Sequence, residues 1–455
     1  MPAIAISAQT RTKAEVAKRY IESKYLRLKQ EEIDRRRDFQ ALDKLMTCMS
    51  LSAQEKSIIK NDIFHREAEA LRQQRIGLSI YDFESIAIIG KGAFGEVRVV
   101  RNKQTREIFA LKKMKKTEMV YKNQVSHVHA ERNVLVAAAS PWIVQLHSSF
   151  QDASYLYLAL EFLPGGDLMN HLMQRNTLQE FEARFYAAEI TLAIESVHTL
   201  GYIHRDIKPD NILITRSGHI KLSDFGLCRH LGDLSGPESA VELSAEVGEG
   251  RRSRQLAYST VGTPDYIAPE VFSKAGYTET VDWWSLGIIL YEMLVGYPPF
   301  FSDSPAMTCQ KITQWRRTLI FPRDAIMSED SEDLIRKLLC ESDSRLGLNG
   351  AQEVKRHPFF RKINWESIRD MTPPHVPDLA DDVDCSNFED FEENEPFYPE
   401  ERKKLYRRED GSFIGFAFNR VENDPKRSIR TTLSELEGKQ AKKPQVTTNA
   451  TTDLE

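Results

Sequence analysis

The run His204-Arg205-Asp206-Ile207-Lys208-Pro209-Asp210-Asn211 places a carboxylate, an ammonium group and a carboxamide within a few positions, and Asp224-Phe225-Gly226 follows downstream. A carboxylate held beside an attacking hydroxyl can orient it and take its proton, which is the place for Asp206. Asn211 and Asp224 offer hard oxygen donors of the kind that Mg²⁺ prefers. Lys208 adds a cation able to stabilise a phosphoryl group in flight. The chemistry these residues fit is phosphoryl transfer from a metal-bound nucleotide to a hydroxyl.

A phosphate cradle lies upstream. Ile89-Gly90-Lys91-Gly92-Ala93-Phe94-Gly95-Glu96-Val97 has the form G-x-G-x-x-G-x-V, and its glycines let backbone N–H groups approach phosphate oxygens that a side chain would obstruct. Dinucleotide-binding folds share G-x-G-x-x-G, but there a helix follows the third glycine. Here Val97-Arg98-Val99-Val100 continues as a strand, and Phe109-Ala110-Leu111-Lys112 reads as the next one. Lys112 on that second strand can hold the α- and β-phosphates, with Glu131, in a helical run, as the carboxylate that orients it. Singly, both also read as surface residues. The ordered set, closed by Ala268-Pro269-Glu270, is far more specific than any member.

These residues need two kinds of scaffold. From Phe83 the chain shows short β-branched runs punctuated by glycine, and beyond about Gly165 helical periodicity dominates to Phe360. A small β lobe followed by a larger helical lobe is an α+β arrangement. Residues 1–82 form a charged, helix-favouring extension with an intermittent apolar stripe (Val16, Tyr20, Tyr25, Leu28, Leu42, Leu45). Ser52-Ala53-Gln54-Glu55 has the capping-box pattern, so two long helices with a turn near Ser50 to Ser52 are expected. Residues 361–425 form a tail with an acidic, aromatic stretch. Residues 426–455 are polar, poor in aromatics and expected to be disordered.

Composition excludes several classes. At 455 residues, 41% hydrophobic and 28% charged, the chain reads as globular. A net charge of −5 argues against general nucleic-acid binding. The cysteines are Cys48, Cys228, Cys309, Cys340 and Cys385; they lack CxxC spacing, so neither a disulfide framework nor a zinc site is expected. The N-terminus lacks a signal-peptide core. The most apolar run, Trp283 to Val295, contains Glu292 and falls well short of the ~20 residues a bilayer needs. It reads as a buried helix, with no membrane span.

Residues 83–360 resemble a eukaryotic protein kinase domain, and Lys208 in this motif marks the serine/threonine class. Gly262-Thr263-Pro264-Asp265-Tyr266-Ile267, Asp282-Trp283-Trp284-Ser285, Phe388-Glu389-Asp390-Phe391 and Phe413-Ile414-Gly415-Phe416-Ala417-Phe418 resemble the AGC group. Within it, Glu161-Phe162-Leu163-Pro164-Gly165-Gly166-Asp167, Ser259-Thr260-Val261-Gly262, the basic helical extension and a long activation segment resemble the NDR/LATS (nuclear-Dbf-related) kinases.

The resemblance implies a bilobal fold using ATP and Mg²⁺, with protein substrates. It adds Glu161, Leu163 and Asp167 as nucleotide contacts, and pairs Arg345 with Glu270. Asp167, Asp210 and Glu292 stand where AGC kinases receive basic residues N-terminal to the acceptor. Ser259 is the activation-loop phosphosite, with Arg205 as the phosphate's partner. Phe413, Phe416 and Phe418 form a hydrophobic motif, in which Ala417 replaces the phosphorylated Ser or Thr of the family. The activation-segment insert ends in Arg251-Arg252-Ser253-Arg254, but Glu238, Glu242, Glu246 and Glu249 make it acidic, a departure from the family's autoinhibitory pattern.

Residues 1–82 correspond to the part of the family that binds a Mob-family coactivator. They carry 16 Lys+Arg against 11 Asp+Glu up to Ile80, with Arg19, Lys24, Arg35-Arg36-Arg37, Arg66 and Arg72 as candidate contacts. A coiled coil is disfavoured by the broken heptad, and a nucleic-acid arm by the absence of interleaved aromatic and basic residues. A pseudokinase scaffold would have lost Lys112, Asp206 or Asp224, and all are present. The expected location is the cytoplasm, with the nucleus as a second site.

Overall fold

The computed structural model describes residues 8–75, 77–92, 95–122, 124–231, 264–272, 277–393, 395–398, 411–420, 429–430 and 432–436. Two compact units emerge, one of residues 79–407 and one that joins residues 1–78 to residues 408–455.

In the larger unit, β1 (Phe83–Gly92), β2 (Gly95–Asn102) and β3 (Ile108–Lys115) form consecutive antiparallel hairpins. After α3 (Lys116–Tyr121) and α4 (Val125–Ala137) come β4 (Leu146–Gln151) and β5 (Tyr155–Glu161), and β5 pairs with both β3 and β4. The sheet order in this unit is therefore 1-2-3-5-4. Gly95 is required where β2 meets β3, because a Cβ there would lie 1.8 Å from the Lys113 carbonyl oxygen.

The second lobe is helical. It begins with α5 (Leu168–Arg175) and α6 (Glu180–Thr199). Two small ladders follow. β6 (Tyr202–Ile203) pairs with β9 (Arg229–His230), and β7 (Ile212–Ile214) with β8 (Ile220–Leu222). They hold residues 204–211 and 223–228 as adjoining loops. Helix α7 (Thr280–Val295) is buried on every side up to Leu294, as its all-round apolar sequence requires, and it stops at Gly296 in the left-handed conformation, φ 95°. No helix among the described residues is long and apolar enough to cross a membrane. The architecture is the α+β arrangement of a β lobe followed by a helical lobe that the sequence predicts.

In the smaller unit, α1 (Ala8–Cys48) and α2 (Ala53–Arg75) make a helical hairpin whose turn includes Ser50 at φ 56°. The capping box forms, with Ser52 N–H donating to Glu55 at 2.8 Å and Glu55 N–H to Ser52 Oγ at 3.3 Å. Arg35 grips buried Glu67 through two bonds of 3.1 and 2.5 Å, tying the helices together. Of the apolar stripe read from sequence, Leu42 is fully buried but Tyr25 is 72% exposed. Within the tail expected to be disordered, Ile429, Arg430 and residues 432–436 are helical, and Ile429 and Leu436 are buried against Leu42, Met46 and Ile63. Three aliphatics spaced along one helix face supply burial that overall composition conceals.

Candidate active site

Lys112 projects from β3 and Glu131 from α4, and their side chains meet at 2.7 Å; Lys112 also reaches Asp224 at 3.2 Å. Burial alone would lower the lysine's pKa, but the carboxylates of Asp224 and Glu131 outweigh it and raise it. Lys112 in turn holds the Asp224 carboxyl below its ordinary value. Asp224 sits in the left-handed region, φ 53°, and accepts the Gly226 N–H at 3.3 Å. Phe225 behind it is fully buried, edge-on to His204 with ring centroids 4.9 Å apart.

Residues 204–211 form the opposite wall. Asn211 Nδ2 donates to the Asp206 carboxylate at 2.9 Å and to its main-chain carbonyl at 2.8 Å, while Lys208 stands 3.0 Å from the same carboxylate. With its amide nitrogen so used, Asn211 presents its carbonyl oxygen as a donor for a hard cation, as does the carboxylate of Asp224. The donor set fits a divalent metal.

The backbone under this loop is strained, since Arg205 lies at φ 69°. What holds it is Asp282 of α7, fully buried, which accepts the N–H groups of His204 and Arg205, each at 2.9 Å, and a bond of 2.8 Å from His198. Sequence reading picked out Asp282 only as part of a motif that resembles the AGC group, without seeing this role. An acid opening an otherwise apolar helix was the available signal.

The glycine-rich loop spans the end of β1 and the start of β2, so Gly90, Lys91, Gly92, Gly95, Glu96 and Val97 lie on one hairpin; Ala93 and Phe94 fall outside the described residues. At the end of β5, the Glu161 carboxylate is engaged by Lys221 at 2.6 Å and by the Gln145 N–H at 2.7 Å. Asp167 caps α5 by accepting the Asn170 N–H at 2.7 Å. Asp210 lies close enough to Asp167 and Glu292 to perturb both electrostatically. Burial pushes the Glu292 carboxyl up to about 7, against a hydrogen bond of 2.7 Å from the Tyr266 hydroxyl. Arg345, almost wholly buried, pairs with Glu270 through two hydrogen bonds and also donates to the Thr280 and Cys340 carbonyls.

The tail completes the site. Asn387 donates to the Pro164 carbonyl at 3.0 Å, and a Cβ on Gly166 (φ +72°) would sit 2.6 Å from the Asn387 carbonyl oxygen. Phe388 packs on Phe162, centroids 6.0 Å apart, between Glu161 and Leu163 in sequence. Further on, Lys91 donates to the Glu392 carbonyl. Arg98, 2% exposed, binds Glu393 at 2.5 Å and the Glu395 carbonyl at 3.0 Å, and Lys113 binds the carbonyls of Pro396 and Phe397 at 3.2 Å each. Tyr398 stacks on Tyr81 and donates to the Phe83 carbonyl at 2.8 Å. Apart from Phe388, which lies in the tail motif that resembles the AGC group, these contacts were not legible in sequence.

The protein-family model for the protein kinase domain matches residues 83–360. Over 445 residues the chain is 43% identical to serine/threonine-protein kinase sax-1 of Caenorhabditis briggsae, covering 92% of this chain and 93% of that protein. It is 45% identical over 409 residues to serine/threonine-protein kinase tricornered of Drosophila pseudoobscura pseudoobscura, 85% of this chain and 89% of the relative. It is 47% identical over 397 residues to serine/threonine-protein kinase CBK1 of Yarrowia lipolytica, 80% of this chain and 68% of the relative. The chain belongs to the NDR family of serine/threonine protein kinases.

As an NDR-family kinase it is a transferase that uses ATP and a divalent metal to modify protein substrates. In this kinase Ser259 and the insert Glu238 to Arg254 lie outside the described residues. Arg205, expected to meet a phosphate on Ser259, donates to the Leu227 carbonyl and the Tyr277 hydroxyl, each at 2.6 Å. Of the hydrophobic motif, Phe413 and Phe416 are buried, Phe418 is half-buried and Ala417 is exposed.

Proposed function

We propose that this NDR-family kinase transfers the γ-phosphoryl group of ATP, with Mg²⁺, to serine or threonine hydroxyls that follow basic residues in protein substrates. The observation that carries the reading is the contact of Lys112 with both Glu131 and Asp224, which brings together β3, α4 and the Asp224 loop. Asp206 takes the proton as the substrate oxygen forms its bond to phosphorus and the bond to the leaving diphosphate breaks. Lys208 stabilises the charge that develops on the transferred group, while Lys112 holds the α- and β-phosphates. Asn211 and Asp224 would hold Mg²⁺, which supplies charge neutralisation between the phosphates.

Glycine-loop N–H groups from Gly90 to Val97 cradle the phosphates. At Glu161, whose carboxylate serves Lys221, a nucleotide contact falls to the main chain, as at Leu163. Asp167, Asp210 and Glu292 receive basic side chains of the substrate by charge complementarity. An array of serine and threonine peptides, assayed with Mg²⁺ and ATP, tests this. Indifference to basic residues before the acceptor would overturn the substrate assignment.

Residues 1–82 are read as the docking site of an acidic-faced Mob-family coactivator. Ile21, Tyr25, Leu26 and Ile33 are exposed on α1, an apolar surface of the kind that marks an interface. Arg36 and Arg66 are held by exposed i,i+4 ion pairs of about 0–1 kcal/mol each, easily exchanged for a partner's carboxylates, while Arg37 lies beside the less exposed Asp34 and Asp38. Arg35 is committed to Glu67 and serves the hairpin itself. The side chains of Arg19, Lys24 and Arg72 lie outside the described set. Copurification with a Mob protein, with and without residues 1–75, tests the docking.

A further inference from the structure

The hairpin of α1 and α2 presents an apolar face at its closed end, built from Leu42, Met46 and Ile63, all fully buried. Two helices alone leave such a face wet. Here it is covered by chain from the far terminus. Ile429, Leu433 and Leu436, spaced i, i+4, i+7, form one face of a short helical stretch and pack on it. Ser434 and Glu435, on the opposite side, are exposed. Arg430 meets Asp38 of α1 at 3.0 Å, which fixes the direction of the segment as well as its depth. So short a helix is marginal in water by itself, so its order comes from the packing.

We propose that residues 429–436 are a built-in docking helix whose receptor is the closed end of the α1–α2 hairpin, and that this attachment retains the segment 413–418 in the absence of a phosphate at position 417. Ile429 follows Phe416 by thirteen positions, and whatever path that chain takes it spans at most about 45 Å. Docking the helix thus holds Phe413 and Phe416 at an effective concentration in the millimolar range, which reduces their dependence on a charged anchor of their own. Phe413 and Phe416 are buried while Ala417 is exposed, as such retention requires. The docking part stands on the contacts themselves. The retention part rests on reading 413–418 as a hydrophobic motif.

Hydrogen exchange on the full-length chain separates the two. Leu433→Asp should reduce protection at least tenfold in residues 39–49 and 59–63, and also in 413–418. Unchanged hairpin protection would overturn the docking. Lost hairpin protection with full protection at 413–418 would overturn the retention while leaving the docking intact. Because Leu433→Asp also puts a charge against the hairpin itself, a charge exchange provides the second arm. Arg430→Asp and Asp38→Arg should each lower protection several-fold and together restore it, and failure of the double variant to recover would count against the orientation. Protection that rises with protein concentration, with a doubled mass in light scattering, would mean that the helix comes from a second copy, which overturns the intramolecular form.

Discussion

Asp282 accepts the backbone N–H of Arg205 at 2.9 Å, and Arg205 lies at φ 69°, so a buried carboxylate on the central helix holds the strained residue next to Asp206. The first prediction concerns that bond. Asp282→Ala leaves two buried N–H donors and His198 without their acceptor, a loss on the order of 3 kcal/mol by the cost of unmet buried groups. The melting temperature should fall accordingly. Turnover should fall more than a hundredfold at a temperature where the variant is still folded.

Asp206→Asn should reduce kcat by about 10²–10⁴-fold, the range for loss of a positioned proton acceptor, with ATP still bound. Lys112→Arg should also be severely impaired, because a planar guanidinium does not fit between Glu131 and Asp224 as a compact ammonium does. Steady-state kinetics with a nucleotide-binding assay checks both; wild-type turnover in either variant would overturn its role.

A pH dependence follows from Glu292. With its carboxyl pushed up to about 7 by burial, it is largely neutral below that pH and charged above it. Attraction to a substrate's basic residue therefore strengthens as pH rises through about 7. The KM for a basic peptide should fall across that window, and Glu292→Gln should flatten the fall. An equal slope in both enzymes would remove Glu292 from substrate recognition.

For regulation, phosphopeptide mapping of active enzyme should find Ser259 modified, and Ser259→Ala should lose most of the activity. Full activity in that variant would count against the site.

Phe416→Ala should lower activity, since burying one phenyl ring contributes about 1.5–3 kcal/mol. Ala417→Thr should be activated little by an upstream kinase if aromatic docking suffices. Strong activation would show that a phosphate-reading pocket persists.

What was legible in the sequence was chemistry confined to short spans. His204 to Asn211 and the glycine loop carry their meaning in local spacing, because loops that grip phosphates and metals demand particular residue types at fixed intervals. Lys112 and Glu131 were legible only through their order among the other motifs. Arg98 and Lys113 were opaque: Arg98 between two valines and Lys113 within a lysine-rich strand end read as solvated cations, and their tail partners lie 283 to 297 residues later. The helix was hidden in a different way, since Ile429, Leu433 and Leu436 barely alter the composition of a largely polar stretch, yet their spacing is sufficient to bury one face.

The path of the tail across β1–β3 separates ancestry from autonomy. The kinase-domain match ends at Phe360, yet Arg98 and Lys113, besides Glu96, draw further carboxylate and carbonyl partners from Glu393 to Phe397. A fragment cut where the shared domain ends would leave these two cations on the sheet with only Glu96 for compensation. It would also remove Tyr398 from its stack on Tyr81 and from the Phe83 carbonyl. The segment matched by the general kinase-domain model and the segment whose buried cations find all their partners are thus different lengths of chain. Expression or transplantation of this catalytic unit should be planned around residue 398 rather than 360.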